Sequence, residues 1–402
     1  MLNLYLRLFV LLYADDTILL SESPDDLQHQ LDVFQRYCKS WHLKVNSDKT
    51  KIVIFNKGRS RVDYSFKYGD ISLEIVDNFK YLGVHFCKNG SFNLNVKELC
   101  EKATRAMYSV IAKCRKHNMS IDCKLDMFDK IVKPILLYGC EVWGFGNIAL
   151  VEKLHLKFCK HILNLKSSTP NYMVYGELGR YPLIINVKVR MIAFWSKLVF
   201  SQNNKVSSKL QYAMGKMNRP WFKFIVKILN DCGLSIILYQ QNVNIQWLKK
   251  TVFHILLDQF KQSWNSEMYN SSKGINYRIF KTTLSLEKYL LDLPYKYQKS
   301  FCMFRTSNAK LPIERGRWYD IPRENRICTI CNCIEIGDEF HYLFHCTDVT
   351  IKDKRFLYIP SYFYTQPNVY KFQQLFNTSN KKLLINLCKF IKVIIERVSS
   401  LG

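Results

Sequence analysis

The chain has 402 residues, of which 48% are hydrophobic and 14% are aromatic. This is enough apolar material for two or three domains with buried cores, and it excludes wholesale disorder. The 59 Lys and Arg residues outnumber the 33 Asp and Glu residues, which leaves a net charge of +26. Such an excess favours a polyanionic partner, either nucleic acid or an anionic membrane surface. A Lys-rich composition alone does not explain the shortage of acidic residues, so we expect nucleic acid.

The cysteines and the N-terminal residues bear on the cellular compartment. Fourteen cysteines are too sparse for a small disulfide scaffold, and most lie in apolar stretches, as buried thiols do in a reducing compartment. The first apolar run is interrupted by Arg7 and ends at Asp15, so it is too short to cross a bilayer. We expect an intracellular protein of the nucleus or cytoplasm, with no signal peptide and no transmembrane segment.

The first 90 residues predict an α+β arrangement. Residues 8–21 form two apolar runs on either side of an acidic turn, which predicts a buried hairpin. Ser23, Pro24 and two aspartates then predict the start of a helix, whose apolar face ends at Trp41. Short strands are predicted at 43–45, 52–55, 64–68, 71–76 and 79–86.

The pattern becomes helical after residue 93. Residues 93–117 predict a basic amphipathic helix with the candidate nucleic-acid-binding residues Lys97, Lys102, Arg105, Lys113, Arg115 and Lys116. Further helices are predicted at about 120–143 (kinked at Pro134), 148–164, 183–201, 219–230, 243–260, 278–291 and 380–398. At 311–346, turn formers and metal-ligating residue types occur close together.

The tetrapeptide Tyr13-Ala14-Asp15-Asp16 is the first candidate site. Adjacent carboxylates at a tight turn repel one another, and a divalent cation relieves that repulsion. Mg²⁺ takes carboxylate oxygens and leaves positions open for phosphates, and two ions about 3.5–4 Å apart clamp the oxygens of phosphoryl transfer. An acidic turn that simply faces water is the alternative. The pair Asp25-Asp26 lies at a helix start, where the helix dipole explains it, and is given no catalytic role.

Several segments together resemble the palm of non-LTR (LINE-type) retrotransposon reverse transcriptases. They are LLYADDTILL, the helix ending at Trp41, LKVNSDKTKIVIF and NFKYLGVHFCKNGSF, in this order and spacing. The resemblance continues through the helix at 93–117, IVKPILLYGCEVWG at 131–144 and NYMVYGELGRYPL at 171–183, and covers most of the chain.

This resemblance implies roles for individual residues. Asp15 and Asp16 would be two of the catalytic aspartates and would hold Mg²⁺. A lysine would assist pyrophosphate departure, and both Lys49 and Lys51 are candidates. The segment Tyr81-Leu82-Gly83 resembles the region that contacts the primer end, although a strand with a bend is the alternative for Leu82-Gly83.

A second constellation is Cys328-x2-Cys331-x9-His341-x4-Cys346. Zinc takes tetrahedral thiolate and imidazole ligands, and two close pairs joined by a loop can supply all four. The arms match a zinc knuckle, although the central loop is longer than in the retroviral version. Cys333 or His345 could replace one of the four, and a cluster of buried thiols is the alternative. Many polymerases of the resembled family end in such a segment, preceded by a Gly-Arg-Trp stretch that is Gly316-Arg317-Trp318 here.

Basic and aromatic residues are interleaved before this constellation, with Arg305, Arg315, Arg317 and Trp318 as candidates for nucleic-acid binding. Cations for phosphates and aromatic faces for unstacked bases suit single-stranded RNA or DNA. The alternatives are a solvated basic surface and, for Trp318, a core position beside the zinc site.

The chain also departs from the resembled family. The palm requires a third aspartate on an earlier strand, and none of the fourteen residues before Asp15 is acidic. The fingers are expected upstream as well. We therefore expect an N-terminally truncated RNA-directed DNA polymerase that is inactive alone and would use Mg²⁺ only in a complete enzyme.

The expected parts are a partial palm (1–91), thumb-like helices (92–165), a helical connecting region (166–310) and a C-terminal zinc-knuckle region (311–402). The expected partners are an RNA template and a DNA primer or target, with no membrane, and Zn²⁺ is the expected structural ion. A non-enzymatic zinc-knuckle module that binds nucleic acid, or a decayed element without function, is the alternative.

Overall fold

The computed structural model describes residues 10–55, 64–200, 209, 214–217, 219–240 and 242–400. The described residues are mostly helical with small sheets, and they divide into two compact units. Unit 1 takes its residues from Met1–Glu101, Leu137–Ile148 and Val187–Lys249. Unit 2 takes its residues from Lys102–Leu136, Ala149–Asn186 and Lys250–Gly402. The four-part division expected from the sequence stays a prediction.

Unit 1 contains three small sheets among the described residues. Their strands are β1 (Val10–Tyr13), β2 (Asp16–Leu19), β3 (Lys51–Ile52), β4 (Phe66–Tyr68), β5 (Ile71–Ile75), β6 (Asn78–Tyr81) and β7 (Val84–Cys87). β1 pairs with β2 and β6 pairs with β7, both antiparallel. The third sheet has the order β3-β5-β4, with β3 parallel and β4 antiparallel to β5.

Helices make up most of the remaining described chain. The α-helices include α1 (Pro24–Ser40), α2 (Asn93–Lys116), α3 (Ile121–Met127), α4 (Lys133–Leu136), α5 (Cys140–Trp143), α6 (Ala149–Ile162), α7 (Asn171–Leu178), α8 (Leu183–Phe200), α9 (Pro220–Asp231), α10 (Ile245–Asn270), α11 (Tyr277–Phe280), α12 (Tyr289–Asp292), α13 (Tyr295–Arg305), α14 (Pro312–Trp318), α15 (Val349–Tyr358), α16 (Ser361–Tyr364), α17 (Val369–Phe376) and α18 (Lys381–Ser400). Short 3₁₀ turns lie at Ser235–Tyr239, Ser272–Gly274 and Arg323–Asn325, and π turns lie at Phe128–Val132 and His341–His345. None of the described helices is both long and apolar enough to cross a lipid bilayer.

A small apolar core holds α1 against the sheets of unit 1. Leu31 of α1 is buried with Phe66 and Leu73 of the third sheet, and Leu19 of β2 packs against this cluster. The side-chain amide of Gln28 both donates to the carbonyl of Lys67 and accepts from its amide, each at 2.9 Å. The hairpin β1–β2 is therefore anchored through β2.

The predicted strands are confirmed in part. Residues 10–19 form the expected hairpin, while residues 8 and 9 lie outside the described part of the chain. The hairpin is not buried as predicted, because all four residues of β1 are exposed and only β2 packs on the core. No strand forms at 43–45, where the chain turns after α1. The segment 79–86 is two strands and a turn rather than one strand.

The predicted helices are confirmed except at two breaks. The helix expected over 120–143 widens into the π turn Phe128–Val132 just before Pro134, which has no amide hydrogen to donate. It ends at Leu136, and Gly139 then adopts a left-handed φ of 64°. The helix expected over 278–291 is interrupted after Phe280, where the backbone of Lys281 is extended, and the buried Lys281 ammonium donates to the Ser285 carbonyl at 2.8 Å. Trp41 follows α1 and is 66% exposed, so it does not join the buried face.

Unit 2 contains a buried ionic cluster centred on Arg305, whose side chain is fully buried. Its guanidinium donates to Glu287 at 2.9 Å and to Glu177 at 3.3 Å, and Nη1 donates to the carbonyl of Phe376 at 3.3 Å. It also lies 4.5 Å from the ring centroid of Phe280. Arg305 thus joins four segments of unit 2, and its predicted role in nucleic-acid binding is wrong.

We expect Arg305→Met to lower the free energy of unfolding by about 3–5 kcal/mol, because it leaves the buried Glu177 carboxylate without a countercharge. Lys392→Met is the matched control, since Lys392 pairs with Glu396 at 3.6 Å on an exposed surface and should cost about 0.5 kcal/mol or less. Urea denaturation followed by circular dichroism measures both. Equal losses would contradict a structural role for Arg305.

Candidate functional site

The YADD tetrapeptide lies at the tip of the hairpin β1–β2. Tyr13 pairs with Asp16, so Ala14 and Asp15 form the two-residue loop. Ala14 has a φ of 52°, in the left-handed region that is unfavourable for a residue with a Cβ. Both aspartates are exposed. The local geometry therefore presents two adjacent carboxylates on a tight, strained turn, a kind of strain often found at functional sites.

These two carboxylates alone would not complete a magnesium site. Mg²⁺ requires six ligands in a near-ideal octahedron and uses carboxylates together with water and phosphate oxygens. In the part of the chain that the structure describes, no third His, Cys, Asp or Glu joins Asp15 and Asp16 in a metal-binding group. The donor chemistry of the two carboxylates fits Mg²⁺.

The two candidate lysines differ in their surroundings. Lys49 lies on a turn in which its amide donates to the Asn46 side-chain oxygen at 3.1 Å, and its side chain is exposed. Lys51 lies on β3, where its ammonium pairs with Glu74 of β5 at 2.7 Å. Lys51 is therefore engaged across the sheet, whereas no ion pair holds Lys49 among the described residues.

Leu82 and Gly83 form the turn between β6 and β7, and Tyr81 is the last residue of β6. Leu82 has a φ of 45° and Gly83 a φ of 79°, as in the two-residue turns favoured by β-hairpins. The Tyr138 hydroxyl donates to the Leu82 carbonyl at 2.9 Å. A Cβ on Gly83 would lie 2.9 Å from Tyr138 Cε1, so only glycine fits beside this ring.

Tyr138 was not singled out in the sequence, although it lies within the segment 131–144 that carries the resemblance. Its position is fixed by the chain around it. The Trp143 indole donates to the Tyr138 carbonyl at 2.8 Å, and Arg190 donates to the Leu137 carbonyl at 2.9 Å. In the sequence, the only sign of a special position is that Tyr138 directly precedes a glycine. Its contact with Leu82, 56 residues earlier, can be seen only in the folded chain.

The second constellation forms one compact cluster. The ligand atoms of Cys328, Cys331, His341 and Cys346 all lie within 4.8 Å of one another. Cys331 Sγ and His341 Nε2 are 3.4 Å apart, and tetrahedral zinc places such donors about 3.4–3.8 Å apart. A metal ion could therefore bind to these four side chains.

Backbone and side-chain contacts orient the cluster. Ile327 and Ile336 form an antiparallel bridge, and the Cys328 amide donates to the Glu335 carbonyl at 2.8 Å. The Glu335 carboxylate lies 2.9 Å from His341 Nδ1, and this hydrogen bond lowers the pKa of Glu335. Because the carboxylate binds Nδ1, Nε2 is left facing the Cys331 sulfur, as in metal-bound histidines whose other ring nitrogen is held by a carboxylate.

A hydrogen bond between the Cys328 and Cys346 thiols shifts their pKa values in opposite directions. A hydrogen bond with Cys346, followed by weaker ones with His341 and Tyr342, lowers the pKa of Cys328 well below its usual range against the effect of burial. Cys346 shifts in the opposite direction because the same hydrogen bond and burial raise its pKa. The cluster thus favours a thiolate at Cys328, the form that binds metals.

The two alternative ligands lie beside the cluster. Cys333 Sγ is 3.5 Å from Thr347 Oγ1, and His345 Nδ1 is 2.9 Å from Glu335. Neither belongs to the four-donor group. The spacing in the sequence allows Cys333 or His345 to replace one ligand. The fold favours Cys328, Cys331, His341 and Cys346 instead.

The candidate nucleic-acid-binding residues fall into two groups. On α2, Lys102 is half-buried, and the exposed residues are Lys97, Arg105, Lys113, Arg115 and Lys116. Around α14, Arg315 is half-buried, and Arg317 donates to the Ser272 hydroxyl and carbonyl at 2.9 Å each. Burial lowers the pKa of Arg317.

Trp318 is 50% exposed, so it is not a buried core residue. The Lys166 ammonium lies 4.6 Å from its ring centroid, which covers one face of the indole with a cation. The neighbouring Tyr319 is 74% exposed. Trp318 and Tyr319 therefore form an exposed aromatic surface at the C-terminal end of α14.

Comparisons with known proteins find similarity in the part of the chain that contains the hairpin. Residues 1–86 match the reverse transcriptase (RNA-dependent DNA polymerase) family. The RNA-directed DNA polymerase from mobile element jockey of Drosophila melanogaster is 27% identical over 178 residues, which cover 42% of this chain and 19% of that polymerase. The chain is related to non-LTR reverse transcriptases.

Two further relatives of this kind match. The probable RNA-directed DNA polymerase from transposon BS of Drosophila melanogaster is 31% identical over 142 residues, 33% of this chain and 16% of that protein. A transposon-derived protein of Caenorhabditis elegans is 29% identical over 183 residues, 44% of this chain and 63% of that protein. The matches thus span about a fifth or less of the two polymerases. No solved structure matches the chain significantly.

We expect Gly83→Ala to destabilise the protein more than Gly90→Ala. Both glycines have a left-handed φ, 79° and 72°, but a Cβ at Gly90 would meet nothing within 4 Å. Gly90→Ala should cost about 1 kcal/mol for the backbone alone. Gly83→Ala should cost about 1–2 kcal/mol more because of the overlap with Tyr138.

Denaturant unfolding of the two variants measures this difference. Adding Tyr138→Ala to Gly83→Ala should recover part of the excess loss. Equal costs for the two glycine substitutions would show that Tyr138 does not restrict this turn.

Proposed function

We propose that this chain contributes the YADD loop of an RNA-directed DNA polymerase of the non-LTR kind, together with a C-terminal region that binds zinc and nucleic acid. The observation that carries the proposal is the hairpin β1–β2, whose tip presents Asp15 and Asp16 within the segment that matches the reverse transcriptase family. The family relationship then supports an RNA template and a DNA primer or target as partners.

The residues of the proposed site have separate roles. Asp15 and Asp16 would hold Mg²⁺, which supplies charge neutralisation at the phosphates when bound. Lys49 is the better candidate for protonating the departing pyrophosphate, because Lys51 is paired with Glu74. The turn at Tyr81-Leu82-Gly83 would support the primer end, and Tyr138 holds that turn.

Zinc is the proposed ion of the C-terminal cluster. Three thiolates and one imidazole are the donor set of structural zinc sites, and Glu335 supplies the expected partner for the imidazole. When bound, zinc would link the segment of Cys328 and Cys331 to the π turn His341–His345 and the following Cys346. The proposed role is structural because all four ligand positions are filled by protein.

The proposed nucleic-acid contacts are the exposed cations of α2 and the aromatic surface at Trp318. Cations there can neutralise phosphates, and an exposed aromatic face can stack on unpaired bases. Arg305 is excluded by its burial, and Arg317 is engaged with Ser272.

We expect the purified chain to contain about one equivalent of zinc, and Cys331→Ser to lose it along with several degrees of thermal stability. Cys333→Ser is the matched control, because it removes a thiol two residues away that lies outside the four-donor group. Elemental analysis and thermal melting give the two readouts. Full zinc retention in Cys331→Ser would refute this ligand set.

The polymerase assignment can be tested by mapping the primer end. A DNA primer with a photoreactive 3′-terminal nucleotide, annealed to an RNA template, should crosslink to the turns at 13–16 or 81–83. A primer with the same group about ten nucleotides from its 3′ end is the control and should crosslink elsewhere. Peptide mass spectrometry locates the adducts. Terminal crosslinks that avoid both turns would contradict the proposed palm.

A further inference from the structure

A small cavity in unit 2 lies among several segments of the chain. They include the 3₁₀ turn Ser272–Gly274 with the residues that follow it, α14, the 3₁₀ turn Arg323–Asn325, and the residues just before the π turn His341–His345. The space open to the centre of a water molecule is about 10 Å³, which is room for a single water. The cavity therefore excludes any ligand much larger than that.

Four polar atoms on the wall of this cavity are buried and have no hydrogen-bond partner in the described part of the chain. They are Oε2 of Glu314, Nε of Arg317, Nε of Arg323 and Oε1 of Glu339. Glu314 and Glu339 are only 6% and 3% exposed. Buried polar atoms of folded proteins are nearly always paired, with protein or with ordered water, because an unpaired one is costly.

The two carboxylates each use one oxygen elsewhere. Glu314 Oε1 accepts from the Lys273 ammonium at 2.7 Å, and Glu339 Oε2 accepts from the Asn276 side-chain amide at 2.6 Å. These bonds hold the carboxylates in place, so the second oxygen of each is left at the cavity as an acceptor.

The two guanidinium groups are held in a similar way. Arg317 donates from both Nη atoms to Ser272, at 2.9 Å each, and Arg323 Nη2 lies 3.5 Å from Asp338 Oδ2. Their Nε atoms are left at the cavity as donors. Arg317 Nε is 3.4 Å from Glu314 Oε2 but is not aligned for a hydrogen bond with it, and a bridging water can connect two such atoms.

The presence of two donors and two acceptors decides which ligand fits this cavity. An anion would lie against two carboxylates, and a cation would lie against two guanidinium groups. In the described chain, moreover, Glu314, Asp338 and Glu339 do not come together as a metal-binding group. A water molecule accepts up to two hydrogen bonds and donates two. It also fits Glu339 whether that carboxyl is ionised or neutral, because water can accept as well as donate.

We propose that this cavity is the site of one structural water molecule, which bridges Glu314 and Arg317 of α14 to Arg323 and Glu339. The inference goes beyond the proposed function and does not depend on it. Trp318 directly follows Arg317, and Glu339 lies two residues before His341. The water would therefore tie the exposed aromatic end of α14 to the segment that carries the four-donor cluster.

A crystal structure of the full chain, at a resolution that shows ordered water, tests the proposal. We expect one peak of density in the cavity, at about 2.7–3.2 Å from all four atoms. Soaks in sodium bromide and in rubidium chloride serve as probes for a halide and for a monovalent cation, because bromide and rubidium scatter anomalously. Neither soak should give an anomalous peak in the cavity.

Glu314→Gln with Glu339→Gln removes both acceptors. The amide oxygens are expected to keep the bonds from Lys273 and Asn276, so that the two NH₂ groups face the cavity and its wall offers donors only. A water cannot bridge four donors, and the peak should be lost. The matched control is Glu324→Gln with Glu396→Gln, which makes the same substitutions at exposed positions of unit 2 outside the cavity and should keep the peak.

Each outcome bears on the water site directly. A peak bonded to all four atoms in wild-type and control crystals, together with its loss in the Glu314/Glu339 variant, supports the proposal. An empty cavity, an anomalous peak from either ion, or direct hydrogen bonds that close the cavity would overturn it. A peak that survives in the Glu314/Glu339 variant would do so as well, because the acceptors would then not hold the ligand. If that variant does not fold, the wild-type density and the two soaks decide the question.

Discussion

The fold depends on how a few acidic side chains neutralise buried cations. With 33 acids against 59 basic residues, the acids cannot balance the whole chain. Several are engaged inside unit 2, where Glu177 and Glu287 bind Arg305 and Glu314 binds Lys273 at 2.7 Å. Buried charges of one sign would prevent the core from forming. Since these acids are engaged internally, the positive excess remains at the surface, where it can attract a polyanion.

Two tight turns position the candidate functional residues of unit 1. The carboxylates of the YADD loop and the turn at 82–83 both lie where two antiparallel strands reverse direction with residues at positive φ. The first turn is supported through Leu19, which packs on the small core, and the second through Tyr138. The candidate functional residues thus lie at the ends of short strands, with packed side chains behind them.

The features predictable from the sequence were those encoded by local spacing. The start of α1 was visible in Ser23, whose hydroxyl accepts from the Asp26 amide at 3.2 Å. The amphipathic α2 and the four-donor cluster were predictable for the same reason. The burial of individual side chains was not predictable from the sequence, because it depends on contacts between segments far apart in the chain. Arg305 stands in a basic-aromatic stretch that looks like a binding surface, yet its partners Glu177 and Glu287 lie 128 and 18 residues away.

The contact between Gly83 and Tyr138 has a consequence for how the sequence can change. Without a requirement for folding, glycine has no advantage at position 83 or at position 90. Where the fold is required, substitution is tolerated more readily at position 90, because a Cβ at position 83 would lie 2.9 Å from Tyr138 Cε1 and a Cβ at position 90 would meet nothing within 4 Å. Unequal loss of the two glycines in related sequences would therefore indicate selection for the fold of unit 1.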